Sequence, residues 1–304
     1  MKIDFSIIIP TYNGEKTIGN LIQTLIAFGK KRSIEIIILD SQSTDATIEI
    51  IKSFSKEYAQ LHIITVERTG FDHGLTRNIG VQTAKGTFVC FFSQDVLPQT
   101  AEMFEYFIED FRLYPNNVAI FCKQVPYART PIIQQWEAVR DYEVLDRYVN
   151  NGLLVFDLKA PFIPYTRENS FLWFFLSNAA ACYKRAFLLQ NPLPEAIHGE
   201  DILIGKTIIT NKLTKIYDNR IVVKHSHTYN YFEYYLRERN EIQFLISRLK
   251  LDKKNNIKMK LYKIYKLPGP FYKKIIYVGD LSIYYFIKLT ILIEVYLMRF
   301  IGRS

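Results

Sequence analysis

The chain has little cysteine and no clustered thiols. Cys90, Cys122 and Cys182 stand far apart in 304 residues. An odd count at such spacings argues against a disulfide framework and against a thiolate zinc site. The three read as small buried hydrophobes in a reducing compartment. No Gly-x-Gly-x-x-Gly follows the first apolar run, which disfavours a dinucleotide-binding oxidoreductase. No internal repeat, low-complexity tract or recognisable nucleic-acid module is present. The run from Phe5 stops at Pro10, ahead of Asn13-Gly14, so it is too short for a signal-peptide core and reads as a strand. A cytoplasmic location is the expectation. Excess charge is also missing from most of the chain. The whole carries 39 Lys/Arg against 30 Asp/Glu, but residues 247–304 alone hold 13 and 3, leaving 26 and 27 for the rest. The body is therefore not a polyanion binder.

What is present is a large apolar fraction, 49%, with 21 Tyr and 22 Phe, enough to build one large α/β domain or a domain with an appendage. Phe5–Pro10, Ile34–Asp40, Leu61–Val66 and Thr87–Phe92 are short apolar runs of strand length. Between them, helical spacing appears at Ile18, Leu21, Ile22, Leu25 and Ile26, again from Thr44 with Ser43 or Thr44 as N-cap, and over residues 74–84. This alternation predicts a mostly parallel sheet wound in βαβ units. Farther on, helices are expected at 101–113, 131–150, 184–190 and 202–210, a loop-like stretch at 151–170, and final strands at Lys215-Ile-Tyr and Ile221–His225.

In open sheets of this kind ligands bind beyond the carboxyl ends of the strands. Four polar clusters fall there: Pro10-Thr11-Tyr12-Asn13, Asp40-Ser41, Glu67-Arg68 and Ser93-Gln94-Asp95. The stretch Glu67–Gly80 adds acid, imidazole, guanidinium and amide groups among glycines. A folding core does not need that mixture; a site for a charged, hydroxyl-rich ligand such as a nucleotide-sugar does.

Taken in order, Pro-Thr-Tyr-Asn, Asp-Ser-Gln-Ser-Thr-Asp, Phe-Asp-His-Gly-Leu-Thr-Arg-Asn, Ser-Gln-Asp, Gly-Glu-Asp and a late His-Ser-His resemble the family 2 glycosyltransferases. The Phe-Asp-His-Gly and Ser-Gln-Asp versions are closest to the bacterial rhamnosyltransferase-like subgroup. The resemblance covers about residues 3–230. It implies the GT-A nucleotide-diphospho-sugar fold for a domain over 1–240; the tail lies outside the resemblance, and its composition alone reads as a basic, aromatic, helical extension over 241–304. By the same resemblance, Asp40 receives the pyrimidine N3–H, Tyr12 lies against the base, and Pro10, Thr11, Asn13 and Ser41 stand beside it. Asp72, His73, Arg77 and Gln94 belong to the donor pocket, Arg77 on the diphosphate or in a salt bridge to Asp72 or Asp95. Asp95 matches the last acid of the Asp-x-Asp metal motif, with Ser93 in place of the first. It holds Mg2+ or Mn2+, helped by His225 or His227, which point the same way on an extended segment. Asp201 is the general base of an inverting displacement and Glu200 its neighbour. Trp173, Ser177 and Asn178 form the sugar or acceptor wall, with an aromatic core explaining Trp173 equally well. Plainer readings stand beside these: Asp40 as a turn former, Glu200-Asp201 as helix-dipole partners.

The implied reaction moves a sugar, L-rhamnose from dTDP-rhamnose by subgroup likeness, onto a growing lipid-linked surface polysaccharide. A UDP-hexose donor and a non-catalytic nucleotide-sugar-binding protein are the alternatives. A processive synthase is disfavoured, since Gln134-Gln-Trp136 lacks the Arg and spacing of Gln-x-x-Arg-Trp. In the tail, Lys258-Met-Lys-Leu-Tyr-Lys-Ile-Tyr-Lys266 alternates base and apolar residue, which suits an anionic membrane surface; a solvated helical face is the plainer account. Residues 281–301 read as an interfacial or protein-packed amphipathic helix, because Lys288, Glu294 and Arg299 are costly in a simple span. The expected place of work is the inner face of the cell membrane, with no nucleic acid involved.

Overall fold

The computed structural model describes residues 2–69, 71–196, 198–249 and 271–301. The chain forms two compact units, Met1–Tyr127 with Ala138–Ser226, and Ala128–Glu137 with His227–Ser304. The division falls at Ser226, ahead of the boundary expected at 240, and it takes a short internal segment with it.

In the first unit, β1 (Phe5–Thr11), β2 (Ile34–Asp40), β3 (Leu61–Thr65) and β4 (Phe88–Phe92) pair in parallel in the order β3-β2-β1-β4. These are the four apolar runs read from the sequence. Nearly every residue of β1 and β2 is buried rather than every second one, as a parallel sheet covered on both faces requires. Ile7, Ile9, Ile36 and Ile38 share a core with Ile18, Leu21, Ile22 and Leu25 of α1 (Ile18–Phe28) and Ile51 of α2 (Thr47–Glu57). α3 (His73–Thr83) packs so closely that a Cβ on Gly80 would lie 2.6 Å from Ile8 Cγ2.

Beyond β4 the sheet becomes mixed. β8 (Ala180–Lys184) runs antiparallel between β4 and β6 (Asn117–Val125), and β9 (Thr214–Lys224) lies parallel to β6. Short strands β5 (Leu97–Pro98) and β7 (Leu153–Phe156) pair antiparallel with β9. The helices here are α4 (Met103–Leu113), α5 (Ile132–Leu145), α6 (Ser170–Phe174), α7 (Arg185–Gln190) and α8 (Glu200–Thr210).

The structure corrects the sequence reading at three places. Neither Ser43 nor Thr44 caps α2, which starts at Thr47; their side chains are drawn to Asp40 and Asn13 instead. The strands β5 to β8 were not expected, and β7 lies inside the stretch read as loop. Each of them is short or polar at its ends, and none stands in a βαβ frame. The two final strands are one bulged strand, β9, whose register against β6 shifts between Cys122 and Lys123. Asp218 is fully buried there; Arg220 reaches Asp218 Oδ2 at 2.9 Å and Asp110 Oδ1 of α4 at 2.7 Å, so the bulge brings its own counter-ions.

The second unit joins Ile133 at the start of α5 to α9 (Tyr231–Phe244) and α10 (Phe271–Ile301). α9 and α10 run in the same direction: Tyr231 bonds Asp280, and farther along Ile242 packs on Ile291. The basic run Lys258–Lys266 lies outside the described residues. Among the described residues, no helix is long and apolar enough to cross a membrane.

Candidate active site

The carboxyl ends of β1, β2 and β4 are stitched together by side chains. Tyr12 N donates to Gln94 Oε1 at 2.9 Å and Gln94 Nε2 donates to Tyr12 O at 3.0 Å. This two-way bond needs Gly14, where a Cβ would stand 2.6 Å from Gln94 Oε1. Asn13, at φ 47°, gives its N–H to Ser43 Oγ and takes one from Thr44 N. Asp40 is buried and accepts from Ser43 N at 3.0 Å and Ser43 Oγ at 2.5 Å, so it does shape the turn. Ser41, also buried, has an Oγ without a hydrogen-bond partner. Thr11 is buried at the end of β1, with Oγ1 on Ile9 O, and Pro10 precedes it opposite Leu39. The Arg68 guanidinium lies over the Tyr12 ring, 3.9 Å from its centroid. Tyr12, Asn13, Asp40, Ser41 and Gln94 are thus one patch, as the strand-end argument predicts.

Asp95 follows Gln94 directly. Its Oδ1 faces His225 Nε2 at 3.5 Å. His225 Nδ1 lies 2.8 Å from Gln124 Oε1, and an amide oxygen only accepts, so Nδ1 carries the proton. In the neutral ring Nε2 is then the acceptor nitrogen, and it is the one turned toward the Asp95 carboxylate. Two electron-rich atoms turned on each other suit a cation between them, and an imidazole anchored through its other nitrogen is how metal-binding histidines are held. Asp95 and His225 therefore fit a divalent metal ion. His227 opens the second unit two residues on, and chain length alone keeps it within about 7 Å of His225, Cα to Cα.

A second cluster forms around α8. Asp201 accepts from Ile202 N at 2.8 Å and Asn178 N at 3.3 Å. Burial, and then the charge of Glu200, push its carboxyl up to about 7. Glu200 is held by Arg77 at 3.1 Å and by Asn178 Nδ2 at 3.3 Å. Tyr183 OH, buried in β8, locks Asn178 through its Oδ1 at 2.7 Å. Arg77 is thus paired with Glu200, not with Asp72 or Asp95. It is 5% exposed and leaves α3 on the side that meets the start of α8, beside His73 one turn back. Burial and the Arg77 charge lower the His73 pKa, keeping that ring neutral. Asp72 is the N-cap of α3, accepting from Leu75 N at 2.8 Å.

The Phe-Asp-His-Gly-Leu-Thr-Arg-Asn motif therefore works largely as a clamp. A Cβ on Gly74 would meet Pro194 O at 2.1 Å, and Asn78 exchanges two 2.9 Å bonds with the Leu193 backbone. Both contacts grip the loop that leads into Glu200 and Asp201. A groove of about 350 Å³ between β3 and α3 is lined by Glu67, Phe71, Asp72 and Leu75 among others, but by none of Asp40, Asp95 or Asp201.

Two residues of the site escaped the sequence reading. Gln124, on β6, donates through Nε2 to Ser177 Oγ at 2.9 Å while its oxygen holds His225, so one amide joins the Asp95–His225 pair to the segment that holds Asp201. An amide at the end of the apolar run Val118–Cys122 was the available signal. Lys215 is fully buried, donates to Phe175 O, and lies 4.0 Å from the Phe156 ring centroid. Burial drives its pKa well down, with Asp201 pulling it back. Trp173, expected as a wall or core residue, is fully buried against Phe156 and Phe162.

Residues 6–174 match the model of glycosyl transferase family 2. The chain belongs to this family. It is 29% identical over 233 residues to the O-antigen chain rhamnosyltransferase WbaN of Salmonella anatum, covering 74% of this chain and 67% of that one. It is 25% identical over 242 residues to RfbN of Salmonella typhimurium, another O-antigen chain rhamnosyltransferase, covering 75% and 68%. Poly(ribitol-phosphate) β-N-acetylglucosaminyltransferase TarS of Staphylococcus aureus is 34% identical over 92 residues, which span only 16% of its length. The structure of TarS 1–349 in complex with UDP-GlcNAc superposes with a TM-score of 0.56 at 18% identity, covering 86% of this chain and 79% of that one. A Pyrobaculum calidifontis mannosyltransferase in complex with GDP-Man and Mn2+ gives 0.54 at 15%, covering 96% and 74%. These two place the fold among the GT-A glycosyltransferases. The protein is a family 2 glycosyltransferase, rhamnosyltransferase-like in sequence.

Proposed function

We propose that the enzyme transfers L-rhamnose from dTDP-rhamnose to a lipid-linked oligosaccharide with inversion at the anomeric carbon. The observation that carries the chemistry is Asp201, a carboxylate raised to about 7 and held by two backbone N–H groups at the start of α8. A base matched to neutral pH removes the acceptor proton most effectively. Asp201 takes that proton as the acceptor oxygen attacks the anomeric carbon. The bond to the nucleoside diphosphate breaks on the opposite face and the electron pair leaves with the phosphate. Asp40 and Tyr12 grip the base, with Pro10, Thr11, Asn13 and Ser41 around them. Asp72 and His73 shape the donor pocket and Gln94 fixes its floor. Asp95 and His225, with His227, would hold Mg2+ or Mn2+, and such an ion would supply positive charge against the diphosphate. Glu200 orients Asp201 and is itself oriented by Arg77.

Rhamnose as the sugar is supported by the likeness to WbaN over most of this chain. A UDP-hexose donor is favoured by the higher identity to TarS over the shorter segment. Thermal-shift screening with dTDP-rhamnose, UDP-GlcNAc, UDP-glucose and GDP-mannose, each with and without Mn2+, decides between them. Stabilisation by dTDP-rhamnose alone, dependent on metal, is expected; preference for a UDP-sugar overturns the rhamnose assignment. The acceptor would be met at the inner face of the cell membrane, with residues 241–304 as the contact to anionic lipid.

A further inference from the structure

α10 is built inside out. Its side chains are described from Val278 to Glu294, and three of these carry charge. All three are engaged within the second unit. Asp280 accepts from Tyr231 OH at 2.9 Å. Glu294 accepts from Tyr235 OH at 2.6 Å and faces Arg239 Nε at 3.6 Å. Lys288 is 5% exposed, 2.5 Å from Glu137 and 3.2 Å from Glu238. It sits in one stripe with buried Leu281, Tyr284 and Ile291.

The opposite stripe is apolar and exposed. Val278, Tyr285, Phe286, Leu289 and Ile293 follow at helical spacing, with Phe286 68% exposed and Ile293 53%. The two aliphatic hydroxyls beside this stripe are spent on the helix itself: Ser282 Oγ donates to Val278 O at 2.9 Å and Thr290 Oγ1 to Phe286 O at 3.0 Å. The outward side thus presents no charged group between Val278 and Glu294, the Ser282 and Thr290 hydroxyls are turned back onto the helix, and the Tyr285 ring is the one amphipathic side chain of the stripe.

We propose that this stripe is the lipid-embedded face of the enzyme, with α10 lying along an anionic bilayer surface. A lipid surface fits better than a second copy of the chain. Lys273 and Lys274 precede the stripe, Arg299 and Arg303 follow it, and residues 247–304 carry 13 basic against 3 acidic side chains. Bases at both ends complement anionic headgroups around an apolar centre. Pairing two copies through the stripe would bring two such tails together. The proposal deepens the reading that the acceptor is lipid-linked, by naming the surface that meets the lipid.

The test is flotation of the full chain with vesicles of phosphatidylglycerol and phosphatidylcholine in equal parts, and of phosphatidylcholine alone. The parent floats with the mixed vesicles and less with the neutral ones. The triple variant Phe286→Ser, Leu289→Ser, Ile293→Ser partitions about tenfold less, while its thermal shift with nucleotide-sugar matches the parent's. Leu289→Trp, which keeps the stripe apolar, gains blue-shifted emission over the parent on adding mixed vesicles. A triple variant that floats like the parent overturns the proposal, as does Leu289→Trp emission unchanged by vesicles. So does a parent dimer in light scattering that the triple variant loses. Because donor binding is read separately, losing the membrane face leaves the transferase reading standing.

Discussion

Replacing Asp201 by Asn should make the protein more stable and nearly inactive at once. In the folded chain the Asp201 carboxyl holds its proton up to about pH 7, against an ordinary value of 3.8. Between those values the folded state binds more protons than the unfolded one, so stability falls as pH rises, and the full cost is present above pH 7. About three pKa units at 1.36 kcal/mol each correspond to about 4 kcal/mol, and partial solvent access reduces this to about 2–4 kcal/mol. An amide is neutral at every pH and escapes that cost. It keeps one of the two backbone bonds from Ile202 and Asn178 and loses the other, worth about 1 kcal/mol. The net gain at pH 8 is about 1–3 kcal/mol, or roughly 2–6 °C in Tm for a chain of this size. At pH 4 the gain vanishes. Ligand-free differential scanning fluorimetry of parent and Asp201→Asn at the two pH values reads this directly, and transfer of labelled sugar reads the loss of kcat/KM, about 10²- to 10⁴-fold. In the parent, kcat/KM should climb to a plateau above about pH 7. A variant no more stable than the parent at pH 8, or equally stabilised at pH 4, refutes the reasoning.

Three further outcomes follow from the same geometry. Arg77→Met should cost about 3–5 kcal/mol, because Glu200 is left charged and buried without its partner; chemical denaturation measures it, and a loss below about 1 kcal/mol would mean that Glu200 finds another partner. Gln124→Leu should weaken Mn2+ affinity about 10- to 100-fold by releasing His225, as read by calorimetric titration; unchanged affinity would remove His225 from the ligand set. Asn78→Ala should lower kcat more than it raises donor KM, since it frees the Leu193 loop ahead of Asp201 and not the Asp40 patch; the reverse split would place Asn78 on the donor side.

Legibility in the sequence followed the βαβ repeat. Up to Phe92 each strand is a mainly apolar run closed by a polar cluster, and the strands and helices could be read, apart from the start of α2. Past Asp95 the chain adds strands out of spatial order: β8 enters between β4 and β6, and β9 carries a bulge. Such pairings depend on residues distant in sequence, and Asn117–Val125 or Ala180–Lys184 show no periodicity that demands them. Among site residues, those at strand ends were legible because a carboxylate after an apolar run needs a purpose. The partner of Arg77 was not, since nothing local says that α3 would face α8. Lys215 and Gln124 look unremarkable within strands until burial makes their polarity costly.

Gln124 has a mechanical consequence. Its oxygen steadies His225 and its nitrogen steadies Ser177, next to the residue whose N–H reaches Asp201. In the proposed reaction, the leaving-group end and the attacking end of the displacement are therefore both referenced to one amide on one strand. Displacing β6 by a few tenths of an ångström would shift both ends together and preserve their alignment, whereas severing either bond would detune one end alone. On the proposed mechanism, the site should tolerate drift of its frame better than loss of a single hydrogen bond.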